Sequence, residues 1–222
     1  MSAAAGDLVV LLHGLSRTRL SMRRMAQAVA RAGFEAHNWD YPSRRHTVSE
    51  LVAMLRARLT DLPADGSTVH FVGHSLGGIL VRAALREGVP CRAGRLVMLA
   101  PPNNGAGIVN RFDRVPALLR VMGRPAHELR RGASWLAGLG PPPVETGIIA
   151  GTRGFDVVNP TSWLNALLGA HERSDGTVEL DSTRLPGMRD YLAIDAAHSF
   201  ICDNPVAIRQ TVHFLQHGRF AA

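Results

Sequence analysis

The sequence contains no lysine: all 25 of its basic residues are arginine. Aromatic residues make up only 5% of the chain, cysteine occurs twice, and no apolar run approaches the length needed to span a bilayer as a helix. Each scarcity excludes something. A net charge of +7 invites an anionic partner, but the arginines are scattered and pair only briefly, as in Arg23-Arg24, Arg44-Arg45 and Arg130-Arg131. No aromatic residues interleave with them to make a stacking surface, so nucleic acid is not an expected partner. Arginine used wherever a surface charge is wanted, beside abundant alanine and glycine, reads as the bias of a GC-rich genome. Cys91 and Cys202 have neither metal-binding nor redox spacing, so two free thiols and no metal are expected. The first residues, Met1 to Asp7, lack the basic and apolar regions of a secretory leader, and a cytoplasmic location is the expectation.

What is present is a regular alternation. At 222 residues, the chain is expected to form one domain with a substantial core. Leu8 to Leu12 is a continuous apolar run of strand length, as for a strand buried on both faces. Met22, Met25, Ala26, Val29 and Ala30 then fall on one helical face, and Gly33 stands where a helix should stop. Further strands are expected at Phe34 to Trp39, Val69 to Val72, Arg95 to Leu99, Thr146 to Gly151 and Tyr191 to Ile194. Helices are expected at Val48 to Leu59, from about Gly77 to Leu85, and at Val206 to Leu215, with a short helical piece at Trp163 to Leu168. This predicts an α/β fold: a doubly wound, mainly parallel sheet of about six strands with helices on both faces. Between about 105 and 143 the rhythm breaks. Ile108, Phe112, Val115, Leu119 and Met122 form an apolar stripe, and Pro141-Pro142-Pro143 ends the segment as a stiff hinge.

In such sheets ligands bind beyond the carboxyl ends of the strands. His13, Ser75, Asn103, Asp175 and His198 all fall at that edge. Gly73-His74-Ser75-Leu76-Gly77 lies between a strand and a helix and matches the G-x-S-x-G elbow. A serine on so sharp a turn presents its hydroxyl clear of the chain, and glycines two residues either side avoid collision with the neighbouring strand and helix. A serine hydroxyl becomes a useful nucleophile when an imidazole takes its proton and a carboxylate orients that imidazole. His198 is the histidine expected as base. Asp175 is the preferred acid, with Asp156 as its rival. Leu76 N–H, in the first helical turn, and Leu15 N–H, after the flexible Gly14, are the candidate oxyanion donors. His13, Gly14, His74 and Asn103 border the site and are expected to contact substrate.

The motifs His13-Gly14-Leu15, Gly73-His-Ser-Leu-Gly77, Asp175-Gly-Thr-Val178 and His198-Ser-Phe run in this order across nearly the whole chain. In this the sequence resembles the α/β-hydrolase superfamily, and within it the compact bacterial lipases and esterases. The resemblance implies Ser75 as nucleophile, Asp175 and His198 as its partners, Leu15 and Leu76 as the oxyanion hole, and no cofactor. It implies a carboxylic ester, lipid-like or smaller, as substrate, with thioester hydrolysis or acyl transfer as alternatives on the same groups. A catalytically silent binding module of this fold is the remaining alternative. The stripe within 105–143 stands where the family often inserts a cap. Whether it forms a lid, touches an anionic membrane surface weakly, or simply packs on the domain stays open from sequence, as does the oligomeric state.

Overall fold

The computed structural model describes residues 6–63, 66–111, 123–155, 163 and 173–222. Six strands, β1 (Leu8–Leu12), β2 (Glu35–Trp39), β3 (Thr68–His74), β4 (Arg92–Leu99), β5 (Thr146–Gly151) and β6 (Asp190–Ile194), form one sheet in the order β2-β1-β3-β4-β5-β6. Every neighbouring pair is parallel. The sheet and its helices are the expected α/β architecture. The chain starts at β1, moves outward to β2, then crosses β1 to continue through β3 in the opposite direction. All strands therefore end at one edge, and the change of direction lies at β1.

Side-chain alternation along the strands divides the core in two. Leu8, Val10 and Leu12 of β1 join Val69, Phe71, Leu96, Met98 and Ile148 on one face of the sheet. Helices α2 (Val48–Leu59) and α3 (Leu76–Glu87) cover that face through Leu51, Val52, Leu55, Ile79 and Leu80. Val9 and Leu11 join Val72, Val97, Leu99 and Ile149 on the other. There α1 (Arg23–Arg31) and the C-terminal helix (Pro205–His217) supply Met25, Val29, Phe214 and Leu215. A strand apolar at every position can satisfy two opposed helical layers at once.

The helix ends follow their local chemistry. Thr47 and Glu50 form a reciprocal capping box at the start of α2. The Asn204 side chain accepts from the N–H groups of Val206 and Ala207, with Pro205 in the first helical position and Gly218 left-handed at the far end. Several boundaries move by one to three residues from the sequence reading, two of them most informatively. Helix α3 begins at Leu76, directly after the serine, and β4 starts three residues early, at Arg92. The second difference comes from an irregularity between β3 and β4 around His70. There the His70 ring, not a backbone carbonyl, accepts the Arg95 N–H at 2.8 Å. A Cβ on Gly94 would stand only 2.6 Å from that ring nitrogen, so the irregular pairing needs glycine.

Of the interrupting segment, the structure describes short helices at Gly107–Arg111, Arg124–Glu128 and Ser134–Gly138. Phe112, Val115, Leu119 and Met122, the alternative acid Asp156, and the Trp163 to Leu168 piece beyond Trp163 lie outside the described residues. Among the described residues no helix is long and apolar enough to cross a membrane.

Candidate active site

Strand β3 delivers Ser75 to the carboxyl edge. Ser75 N–H bonds the Leu99 carbonyl at 2.8 Å, one step beyond the last paired residue of the strand, and α3 begins with the next residue. The turn forces Ser75 to φ 50° and ψ −119°, a conformation that costs a non-glycine residue about 1–3 kcal/mol. Two glycines make the turn sterically feasible. A Cβ on Gly73 would collide with the Gly78 backbone, and one on Gly77 would meet Leu12 O at 2.5 Å and His13 O at 2.6 Å. The elbow is thus wedged against the loop after β1.

Behind the serine, the late loops meet it. His198 Nε2 lies 3.1 Å from Ser75 Oγ, and His198 Nδ1 lies 2.7 Å from Asp175 Oδ2. Asp175 is fully buried; its other carboxylate oxygen accepts the N–H groups of Thr177 at 3.0 Å and Val178 at 2.8 Å. The Asp-Gly-Thr-Val sequence therefore folds back on its own aspartate and leaves one oxygen for the histidine. A carboxylate on Nδ1 places the ring proton there and leaves Nε2 as an acceptor facing the serine hydroxyl. Ser75 and His198 retain only 8% and 9% exposure, so the row is largely shielded from water. Gly151, where β5 ends, leaves room for this: a Cβ there would stand 2.8 Å from that of Asp175.

The loop after β1 runs beside Ser75. A Cβ on Gly14 would stand 2.7 Å from His74 Nδ1 and 3.3 Å from Ser75 Cβ, which brings the backbone leading to Leu15 up against the serine. Leu76 N–H lies in the first turn of α3, where N–H groups have no acceptor within the helix and the helix dipole favours negative charge.

His13, His74 and Asn103 are brought to the site, and all their polar side-chain atoms except His74 Nδ1 are engaged with the protein. His13 is fully buried; its Nδ1 donates to Gly14 O at 2.8 Å, while its Nε2 accepts from Tyr41 N–H at 3.4 Å. Tyr41 stacks on the same ring, centroids 4.3 Å apart, and donates its hydroxyl to His13 O at 2.6 Å. Burial lowers the His13 pKa, against the raising effects of the Gly14 bond and of Asp40 Oδ1, 3.5 Å from Nε2. His74 donates from Nε2 to the His198 carbonyl at 3.1 Å, and its buried Nδ1 has no partner among the described residues. Burial, with the neighbouring His198 and Arg17, holds its pKa well below the usual imidazole value. Asn103 donates to Thr183 O at 2.8 Å and accepts from Arg82.

Several residues near the site carry no motif and were not singled out from sequence. Tyr41 and Ser43 shape the loop after β1, Ser43 Oγ accepting the Ser16 N–H at 3.1 Å. Their one signal is position, just past the carboxyl end of β2. Arg17 donates to Ser199 O at 3.0 Å and so links that loop to the residue after His198. Arg82, 2% exposed, donates to Gly140 O, Leu136 O and Asn103, and burial pushes its pKa down to about 10. No sequence pattern marks a helical arginine as buried. Among the described residues no group of three or more His, Cys, Asp or Glu side chains is placed to hold a metal ion.

Comparison with known proteins finds the same fold elsewhere. The mature lipase BlEst2 of Bacillus licheniformis superposes with a TM-score of 0.81 at 19% identity, over 97% of this chain and 94% of that one. A metagenomic carboxyl esterase gives 0.75 at 20% identity, over 90% and 67%. Phospholipase PlaB of Legionella pneumophila gives 0.74 at 17%, over 97% of this chain and 60% of its own. At such identities these are likenesses of fold. No curated relative matches the sequence. The family model described as the alpha/beta hydrolase family matches residues 9–216, nearly the whole chain, and the protein belongs to that family.

Proposed function

We propose that this hydrolase cleaves a carboxylic ester through a covalent acyl-enzyme, with Ser75, His198 and Asp175 as its catalytic residues. The observation that carries the reading is the hydrogen-bonded row from Asp175 Oδ2 through the His198 ring to Ser75 Oγ, at 2.7 and 3.1 Å. Ser75 Oγ attacks the acyl carbonyl as His198 Nε2 takes its proton. The imidazolium that forms is stabilised by the buried Asp175 carboxylate. The carbonyl oxygen becomes an oxyanion and is met by the N–H groups of Leu76 and Leu15. On collapse of this intermediate the ester C–O bond breaks, and His198 returns the proton to the departing alkoxide. A water molecule, deprotonated by His198, then attacks the acyl-serine and releases the acid.

In this account Gly14 lets the oxyanion loop approach the serine. His13 and Tyr41 hold that loop in place, His74 holds the His198 backbone, and Asn103 braces the loop after β4; these are positioning residues. Residues 105–143 act as a cap. Supporting this, Ile108, Val109 and Ala126 cluster with Val178, which follows the acid, and with Leu15 of the oxyanion loop. A small, lipid-like ester accords with the lipase, carboxyl esterase and phospholipase among the similar folds. The test is hydrolysis of para-nitrophenyl butyrate by the wild type and by Ser75→Ala. The wild type should release nitrophenolate and the variant should not rise above background; equal rates would refute the assignment.

A further inference from the structure

Beside the oxyanion loop runs an open groove of about 580 Å³, lined by Ser16, Arg17, Tyr41, Ser43, Arg44 and Arg45 together with Pro42 and Gly123. One wall continues from His13-Gly14-Leu15, and the other leaves the end of β2. The two walls are fastened together by the Ser16 N–H to Ser43 Oγ bond and by the Tyr41 hydroxyl to His13 carbonyl bond. The groove is therefore fixed to the loop that carries the Leu15 N–H. Its volume lies in the range of small-molecule sites.

Its charge is of one sign. Three of the eight lining residues are arginines and none is acidic. The two carboxylates nearest in sequence have other partners: Asp40 accepts the Arg19 N–H at 2.6 Å, pairs with its guanidinium at 3.4 Å and stands 3.5 Å from His13 Nε2, while Glu50 caps α2 and faces His46 and Arg124. Among the described residues Arg17, Arg44 and Arg45 form no ion pair. Arg17 is held by the Ser199 carbonyl, so one of its donors is fixed against the loop of His198 and the rest of the fork is unengaged by it. Its charge also reaches the two site histidines His13 and His74, whose pKa values it helps to lower. Planar guanidinium forks suit phosphate and carboxylate oxygens, and unpaired cations in a fixed groove attract an anion without first breaking a salt bridge.

We propose that this groove binds an anionic group, phosphate or carboxylate, carried by the ester itself, and that it makes the enzyme selective for anionic over neutral substrates. This rests on the ester-hydrolase reading and deepens it by naming the substrate's charge. The anion has two possible sources, the acyl chain and the alcohol, and the test separates them. For the acyl side, para-nitrophenyl hemiglutarate is compared with para-nitrophenyl butyrate. For the alcohol side, dibutyroyl phosphatidic acid is compared with dibutyroylglycerol, all below their aggregation limits. The anionic member of at least one pair should have kcat/KM about tenfold higher at low salt, mainly through KM, and the preference should vanish near 0.5 M NaCl, where the Debye length is only about 4 Å. The double variant Arg44→Glu/Arg45→Glu should reduce the anionic-to-neutral ratio by about tenfold or more, as expected for replacing two attractive charges by two repulsive ones. Turnover of neutral esters with no anionic preference in either pair, or a ratio unmoved in the double variant, would overturn the inference and leave the hydrolase reading standing. A folded wild type that hydrolyses none of the four esters would overturn both.

Discussion

His198 is bound to Asp175 twice: its ring Nδ1 meets the carboxylate at 2.7 Å, and its backbone N–H donates to the Asp175 carbonyl at 2.9 Å. The residue that orients the imidazole thus also fixes the backbone from which the imidazole projects. Separating the two effects is possible because only one of them uses the side chain. Asp175→Asn keeps the backbone bond and retains an oxygen for the Thr177 and Val178 N–H groups, but turns an amide toward His198 Nδ1. The ring is then driven to the wrong tautomer. Activity should fall by about 10⁴-fold while the melting temperature changes little. Activity within tenfold of wild type would remove Asp175 from the mechanism.

The second expectation concerns Gly77, whose missing Cβ leaves room for the carbonyls of Leu12 and His13. Both obstacles are backbone, at the junction of β1 with the loop that follows it, and neither can rotate away. Gly77→Ala should destabilise the fold by about 1–3 kcal/mol in urea unfolding, as overpacking does, and should lower kcat as well by displacing the Leu15 N–H. Gly138→Ala, where a Cβ meets nothing within 4 Å, is the matched control and should do neither.

Stability should depend on pH through buried histidines. Burial is the leading cause of a lowered pKa at His13, His70 and His74. A group with a depressed folded pKa stays neutral in the folded protein while its unfolded counterpart protonates. Stability is therefore complete above the unfolded imidazole value of about 6.5 and declines as pH drops from there toward the folded values. His70 lies away from Ser75, its Nδ1 accepting from Arg95 and its Nε2 facing Asp7 at 3.6 Å. Replacing it by Gln should lessen the decline below pH 6.5 by up to about 1.4 kcal/mol per pH unit, one proton's worth. Denaturant midpoints measured across this range check it; an unchanged slope would show that His70 titrates alike in both states.

Arg82 joins α3 to the interrupting segment through carbonyl acceptors at Leu136, Asn103 and Gly140. Arg82→Leu leaves the buried Leu136 and Asn103 carbonyls without this donor, at about 1–3 kcal/mol for each group left unsatisfied, and frees the half-buried Gly140 carbonyl. The expected result is selective loosening of residues 134–143. Limited proteolysis should cut there first in the variant, ahead of any cleavage in the sheet. Cleavage at the same sites and rates as wild type would deny Arg82 this role.

Much of the fold was readable in the sequence because strands buried on both faces must be apolar throughout, and Leu8 to Leu12 or Thr146 to Gly151 have few other uses. The elbow was readable because its glycines are steric necessities within five residues. What could not be read depends on contacts between distant segments. His70 replaces a ladder acceptor for Arg95, Arg82 is buried by Leu136 and Gly140, and His13 Nε2 is engaged by Tyr41. Nothing near these residues in sequence marks such partners. His13, His74 and Asn103 stand at the expected edge, yet position alone did not tell that their polar atoms face inward. The same limit applied to Arg17, Arg44 and Arg45, which as sequence are part of a scattered arginine background and in three dimensions line one groove.

A Ser75 activated by its neighbours should be open to covalent trapping. The folded wild type is treated with a fluorophosphonate and its mass measured before and after, followed by peptide mapping. The account predicts a single phosphonyl adduct, located on Ser75, that is absent in Ser75→Ala and forms far more slowly in Asp175→Asn. No adduct on a folded wild type, or an adduct on another serine, would contradict it.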